Sequence, residues 1–237
     1  MSEGRVTSTD TGGLIWLFVM QKKQANSHTL VKFCGITRTA DAATALRVGA
    51  NALGLVFFAG SPRFVTSEQA AEICRVIDGN ETNNRVLKVG LFVDAAAEDV
   101  LQVLEQVPLD ILQFHGNEPA AYCEQFHLPY WKALRVRNAG DIENFIPAYT
   151  SAAALLLDAW HPDQHGGTGL AFDWDLLAGI NPEQNIVLAG GLTPENVAQA
   201  IRQVAPWGVD VSSGIEEAPG IKSESLMKQF IEEVRSV

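Results

Sequence analysis

From Leu30 onward, short apolar runs alternate with amphipathic stretches. The apolar runs predict strands over Leu30–Cys34, Ala52–Phe57, Arg85–Val93, Ile111–His115, Trp131–Arg135, Ala153–Asp158, Ile186–Ala189 and Gly208–Ser212. Between them, helical spacing predicts Asp41–Val48, Ser67–Ile77, Ala97–Val107, Glu118–Phe126, Asp141–Pro147 and Pro194–Val204, with Ser223–Val234 last. Start signals support several of these. Thr66 or Ser67 precedes Glu68, Pro194 follows Thr193, and Ser223 precedes Glu224. The sixth unit is the weakest, with Trp174–Leu177 as its only helical turn.

The strands read as continuous apolar runs, the pattern of parallel strands covered on both faces. Eight units at a period of roughly 25 residues fit an α/β fold, a single (β/α)8 TIM barrel over residues 30–237. A doubly wound open sheet is the alternative. It lacks support, because no Gly-x-Gly-x-x-Gly turn follows the first strand. No Pro/Gly/Ser-rich linker divides the chain, so one catalytic domain is expected. Residues 1–29 do not share the period and form a non-homologous N-terminal extension, expected to be peripheral or poorly ordered. Its apolar run Leu14–Met20 is far too short to span a bilayer, and no small-residue cleavage site follows it. The extension reads either as an artefact with the natural start near Met20, or as an arm covering an apolar patch.

Composition narrows the function. The net charge of −11 over 237 residues argues against nucleic-acid binding, which needs a basic surface. A small phosphate can still bind an acidic protein through backbone N–H groups and helix N-termini. The three cysteines Cys34, Cys74 and Cys123 are odd in number and widely spaced, which suits a reducing, cytoplasmic setting better than a disulfide framework. Cys74 and Cys123 fall in apolar helix-like stretches and read as core residues.

In a barrel the C-terminal strand tips share one pocket. In order, these tips carry Cys34, Ser61-Pro62-Arg63, Asp94, His115, Arg135, Asp158, Gly190-Gly191 and Ser212-Ser213-Gly214. Cys34 before Gly35 is a candidate acid/base or nucleophile, against the alternative of a small buried hydrophobe. Asp158 ends the apolar run Ala154–Leu157, where burial would favour a general acid. The alternative there is a cap or loop ion pair. Arg63, stiffened by Pro62, suits a two-pronged grip on a carboxylate. His115 reads as pocket lining. The loop Gly166–Gly169 suggests a cover or a phosphate contact. Ala189–Pro194 and Val211–Ile215 read as phosphate cradles of the seventh and eighth loops. No paired metal-ligand spacing joins His115, so no metal is expected.

Taken together, Lys32-Phe33-Cys34-Gly35-Ile36-Thr37, Ser61-Pro62-Arg63, Gln113-Phe114-His115-Gly116, Leu157-Asp158 with Gly166–Gly169, Ala189–Leu192, and Asp210-Val211-Ser212-Ser213-Gly214 resemble the phosphoribosylanthranilate isomerase family of tryptophan biosynthesis. The resemblance runs from about Val31 to the C-terminus. It implies a cofactor-free Amadori rearrangement of a small phosphorylated substrate, with Asp158 as general acid and Cys34 as general base. Arg63 would hold the anthranilate carboxylate. Gly191, Ser213 and Gly214 would hold the phosphate, with His115, Asp210 and Ser212 beside the substrate. Two features depart from the family: residues 1–29, and Phe33 where a branched aliphatic residue is common. The sibling isomerase of histidine biosynthesis uses a carboxylate at the first strand tip, where this chain has Cys34. A metal-dependent pentose-phosphate epimerase would need converging His and Asp ligands. A silent phospho-ligand-binding barrel would need neither Cys34 nor Asp158. No nucleic-acid or membrane partner is expected, and the protein should be a monomer or homodimer.

Overall fold

The computed structural model describes residues 29–80, 85–136, 139–159, 174 and 185–237. Eight parallel strands close into a barrel in chain order: β1 Leu30–Cys34, β2 Ala52–Val56, β3 Leu87–Phe92, β4 Ile111–Phe114, β5 Tyr130–Val136, β6 Ala154–Ala159, β7 Asn185–Ala189 and β8 Gly208–Val211. Closure is made by β1 on β8, in register from Leu30 opposite Gly208 to Phe33 opposite Val211. Among the described residues the helices are α1 Thr39–Val48, α2 Ser67–Asp78, α3 Ala97–Gln106, α4 Ala120–Glu124, α5 Ala139–Ala148, α6 Val197–Val204 and α7 Glu224–Arg235. None of them is long and apolar enough to cross a membrane.

The period-two alternation of a strand divides the core in two. Phe33, Leu53, Leu55, Phe114, Leu155 and Leu157 point outward and pack under the helices. Phe33 meets Phe230 of α7 edge to face, with centroids 6.1 Å apart. The aromatic at position 33 therefore has a ring to pack on. Leu30, Leu87, Val89, Ile111, Trp131, Leu156 and Val187 point inward and fill the barrel. A separate inward layer of Cys34, Val56 and Leu91 lies at the C-terminal ends of the strands.

Several boundaries differ from the sequence expectation. Strand β4 stops at Phe114 and β8 at Val211, so His115 and Ser212 stand just beyond the ladders. Helix α2 does start after Thr66, but its capping box closes through Gln69 and not Glu68. Helix α6 begins at Val197, not Pro194. There Asn196 accepts from the Thr193 N–H at 2.8 Å and donates to the Gly191 carbonyl at 2.9 Å, tying down the turn before the helix. The extension 1–28, the Gly166–Gly169 loop and Trp174–Leu177, except Trp174 itself, lie outside the described residues.

Helix α4 is shorter than expected because Glu118 is not part of it. Its buried carboxylate accepts from the N–H of Asp94 at 2.7 Å and from that of Gly116 at 3.0 Å, and pairs with Lys132 at 3.0 Å. Lys132, also buried, donates to the carbonyls of Phe114 and Gly116. This clamp fixes the loops after β3 and β4 to β5. Removing one partner of a buried pair strands the other charge. Glu118→Ala should therefore lower stability by about 3–5 kcal/mol in urea unfolding. Glu118→Gln, which keeps an acceptor for the two N–H groups, should lose less.

Candidate active site

The inward residues at the C-terminal strand ends enclose a pocket of about 420 Å³. That volume suits a small-molecule ligand. Its walls include Cys34 from β1, Arg63 after β2, His115 after β4, Asp158 from β6, Gly191 after β7, and Asp210 with Ser212 and Ser213 at β8. The barrel thus gathers Cys34, Arg63, His115, Asp158, Gly191, Asp210, Ser212 and Ser213 from six strand ends. Gly214 is beside them in a 3-10 turn, Ser213–Ile215.

Cys34 is buried, and burial pushes its thiol above the ordinary range. The ammonium of Lys32 opposes that push, while Asp210 adds to it. Lys32 is fully buried one inward step below Cys34 and donates to Asp210 Oδ1 at 2.8 Å. Burial disfavours the charged lysine, yet Asp210 and Cys34 together hold its affinity for the proton above normal. Ser212 Oγ donates to the Cys34 carbonyl at 3.1 Å, locking the strand tip from β8. The other two thiols, Cys74 and Cys123, are pushed by burial up to about 12, as inert core groups should be.

Arg63 is held and not free. Its Nε and Nη2 donate to the two oxygens of Glu216 at 2.8 and 2.6 Å. Glu216 opens β9, Glu216–Ala218, which pairs with β10, Ile221–Lys222. Lys222 donates to Glu216 at 2.7 Å and to the Ser212 carbonyl at 3.0 Å. Burial works against the Glu216 carboxylate, but Arg63 and Lys222 hold it below its usual range. The fork uses Nε and Nη2 and leaves Nη1 outside it. Gly35, with φ of 75°, lies under the Arg63 stem, where any Cβ would collide with Cδ. That close approach explains the glycine after Cys34.

Across the pocket, His115 Nε2 lies 3.5 Å from Asp158 Oδ2. The Asp158 side chain is 28% exposed, so it stands partly open to the pocket rather than buried as its apolar strand suggests. The ring is steadied from below, where Gln113 Nε2 is 3.1 Å from Nδ1. Arg135 also lines the pocket. Asp94 does not belong to this set. It adopts φ of 47° and turns its carboxylate to the Asn117 N–H at 2.6 Å. The seventh-strand turn passes through Gly190 and Gly191 at φ of 86° and 64°, a conformation that glycine adopts without strain. At Gly214 a Cβ would collide with the Leu192 carbonyl, so the seventh and eighth loops meet backbone to backbone. These small residues leave N–H groups at the rim, as a phosphate site requires.

Four residues received no role from the sequence: Lys32, Gln113, Glu216 and Lys222. For two of them a signal was available. Lys32 is in phase with Cys34, and Gln113 with His115, inside otherwise apolar runs. A polar side chain in such a run faces either water or a site. Glu216 and Lys222 carry no local signal, since the short hairpin brings them under Arg63.

Comparison with known proteins agrees with this arrangement. A sequence profile described as N-(5'-phosphoribosyl)anthranilate isomerase matches residues 31–233. An enzyme of that name from Nitrosococcus oceani is 49% identical over 210 residues, 89% of this chain and 99% of its own. The crystal structure of phosphoribosyl anthranilate isomerase from Thermotoga maritima superposes with a TM-score of 0.79 at 38% identity, covering 88% of this chain and all of the other. A structure of such an isomerase in complex with reduced 1-(o-carboxyphenylamino)-1-deoxyribulose 5-phosphate superposes with a TM-score of 0.76 at 36% identity, over 88% of this chain and all of its own. Barrel, pocket and sequence together assign this chain to the N-(5'-phosphoribosyl)anthranilate isomerase family.

Proposed function

We propose that the protein isomerises N-(5'-phosphoribosyl)anthranilate to 1-(2-carboxyphenylamino)-1-deoxyribulose 5-phosphate in tryptophan biosynthesis, with Asp158 as general acid and Cys34 as general base. The observation that carries this reading is the placement of a thiol and a carboxylate on β1 and β6, across one pocket rimmed by glycine turns. The ligand is a small phosphorylated molecule, in keeping with the product analogue bound to the related structure.

Protonated Asp158 gives its proton to the furanose ring oxygen. The bond from that oxygen to C1' breaks, and the anilino nitrogen lone pair forms the Schiff base. The Cys34 thiolate then removes the C2' proton, giving the enolamine, which tautomerises to the ketone. Acid and base on opposite walls can serve the two steps without competing for one proton. His115, 3.5 Å from Asp158, orients the acid. The outer edge of Arg63 receives the anthranilate carboxylate while Glu216 keeps the guanidinium in place. The turns at Gly191 and at Ser213-Gly214 receive the phosphate on backbone N–H groups. Ser212 and Asp210 fix the floor beneath them. The sibling reaction of histidine biosynthesis, with a carboxylate at the first tip, is disfavoured by Cys34 itself.

Cys34→Ser should lower kcat by at least about 10²-fold with the circular dichroism unchanged, because a hydroxyl is a far weaker base. Since the thiol lies above its ordinary range, the active thiolate grows with pH. Turnover of the wild type should climb from neutral into alkaline pH, and a flat profile would exclude Cys34 as the base. Asp158→Asn should lose about 10²–10⁴-fold in kcat while a reduced product analogue still binds in a fluorescence titration. Equal loss of binding would make Asp158 a positioning group.

A further inference from the structure

We infer that Lys32 is a positioning residue for the base: its buried ammonium, anchored by Asp210, is the counter-charge against which the Cys34 thiol ionises. The inference rests on the reading of Cys34 as the proton acceptor and adds the group that makes this possible.

A lysine inside a barrel is costly, because its charge leaves water. The neighbouring inward positions Leu30, Ile111, Leu156 and Val187 are apolar, so the floor has no general need of charge. Lys32 and Cys34 are two residues apart on β1 and share its inward face. Cys34 is opposite Gly54 in the β1–β2 register. A Cβ on Gly54 would lie 2.9 Å from Cys34 Sγ and 3.1 Å from Lys32 Nζ. The missing side chain thus leaves one small space that both atoms border. On the other side β8 sets Asp210 opposite Lys32 in register, and its carboxylate holds the ammonium at 2.8 Å.

The charges around the thiol fit this role. Lys32 comes from β1, Arg63 from the loop after β2, and Lys222 from β10. Against these three cations stand two carboxylates, Asp210 on β8 and Glu216 on β9. Further round the pocket stand one cation and one carboxylate, Arg135 and Asp158, opposite each other in the β5–β6 register, with His115 3.5 Å from Asp158. Among the described residues the set around Cys34 therefore carries one excess positive charge, which a thiolate would balance.

The two members of the pair act on the thiol with opposite sign, and this supplies the test. The rate of Cys34 alkylation by iodoacetamide against pH, read by peptide mass spectrometry, reports the thiolate directly. Lys32→Met removes the favourable charge and should slow alkylation at neutral pH by about tenfold. It should also displace the rising limb of kcat to higher pH, with KM little changed. Asp210→Asn leaves Cys34 as the nearest group able to balance Lys32, and should speed alkylation at neutral pH. If the pair merely closes β1 on β8, both variants lose stability and leave the alkylation profile where it was, which would overturn the inference. Should Lys32→Met not fold, Asp210→Asn decides alone: faster alkylation supports the inference, and unchanged or slower alkylation refutes it. Failure of the underlying reading looks different. Opposite shifts in alkylation together with full turnover in Cys34→Ser would remove Cys34 from the base role while leaving Lys32 as the thiol's counter-charge.

Discussion

Closing eight parallel strands on themselves sends every second side chain into a space without water. Most of this structure follows from that constraint. The outward phase of the strands packs under the helices and is mostly apolar, as with Phe33 on Phe230, with the buried Lys88 and Lys132 as paired exceptions. The inward phase must fill the barrel below and present chemistry above. Leu30, Lys32 and Cys34 show the transition along a single strand: a filler, a buried charge and a thiol that lines the pocket. The pocket is the last inward layer, which is why its residues arrive from all eight strand ends.

Burying charge in that layer demands compensation, and the compensation organises the mouth of the barrel. Lys32 has Asp210, Arg63 has Glu216, and Lys222 shares Glu216. The last two contacts also fasten the hairpin after β8 over the loop after β2. On the opposite wall Glu118 and Lys132 form the same kind of clamp under the β4 loop that carries His115. The wall that holds the thiol and the wall that faces Asp158 are therefore each braced by a buried ion pair, with water excluded from the brace. Such pairs add little net stability, but breaking one strands a charge, so they specify position.

Much of this was legible in the chain. Eight apolar runs at even spacing predict eight parallel strands, and the structure forms all eight. The tips carrying Cys34, Arg63, His115, Asp158, Gly191 and Ser212-Ser213 do line one pocket. Asp94 does not, because Glu118, 24 residues away, captures its backbone N–H and the carboxylate turns to Asn117. The helix expected from Glu118 fails for the same reason. Pro194 does not start α6, because the Asn196 side chain ties the preceding turn first. In each case a side chain bonds a backbone group that the local pattern assigns to a helix or a strand tip.

By itself the sequence determined the repeat, the closed parallel architecture, the family and the strand tips that carry the thiol of Cys34 and the carboxylate of Asp158. Those properties are carried by local periodicity and by short motifs, which need no knowledge of what lies across the barrel. Only the tertiary structure decided the partners. Lys32 finds Asp210 across 178 residues, and Arg63 finds Glu216 across 153. Arg63 consequently has one edge of its guanidinium taken by Glu216, and Cys34 has an ammonium at its side. Electrostatic contacts depend on distance and burial in space, and a linear pattern of residues records neither.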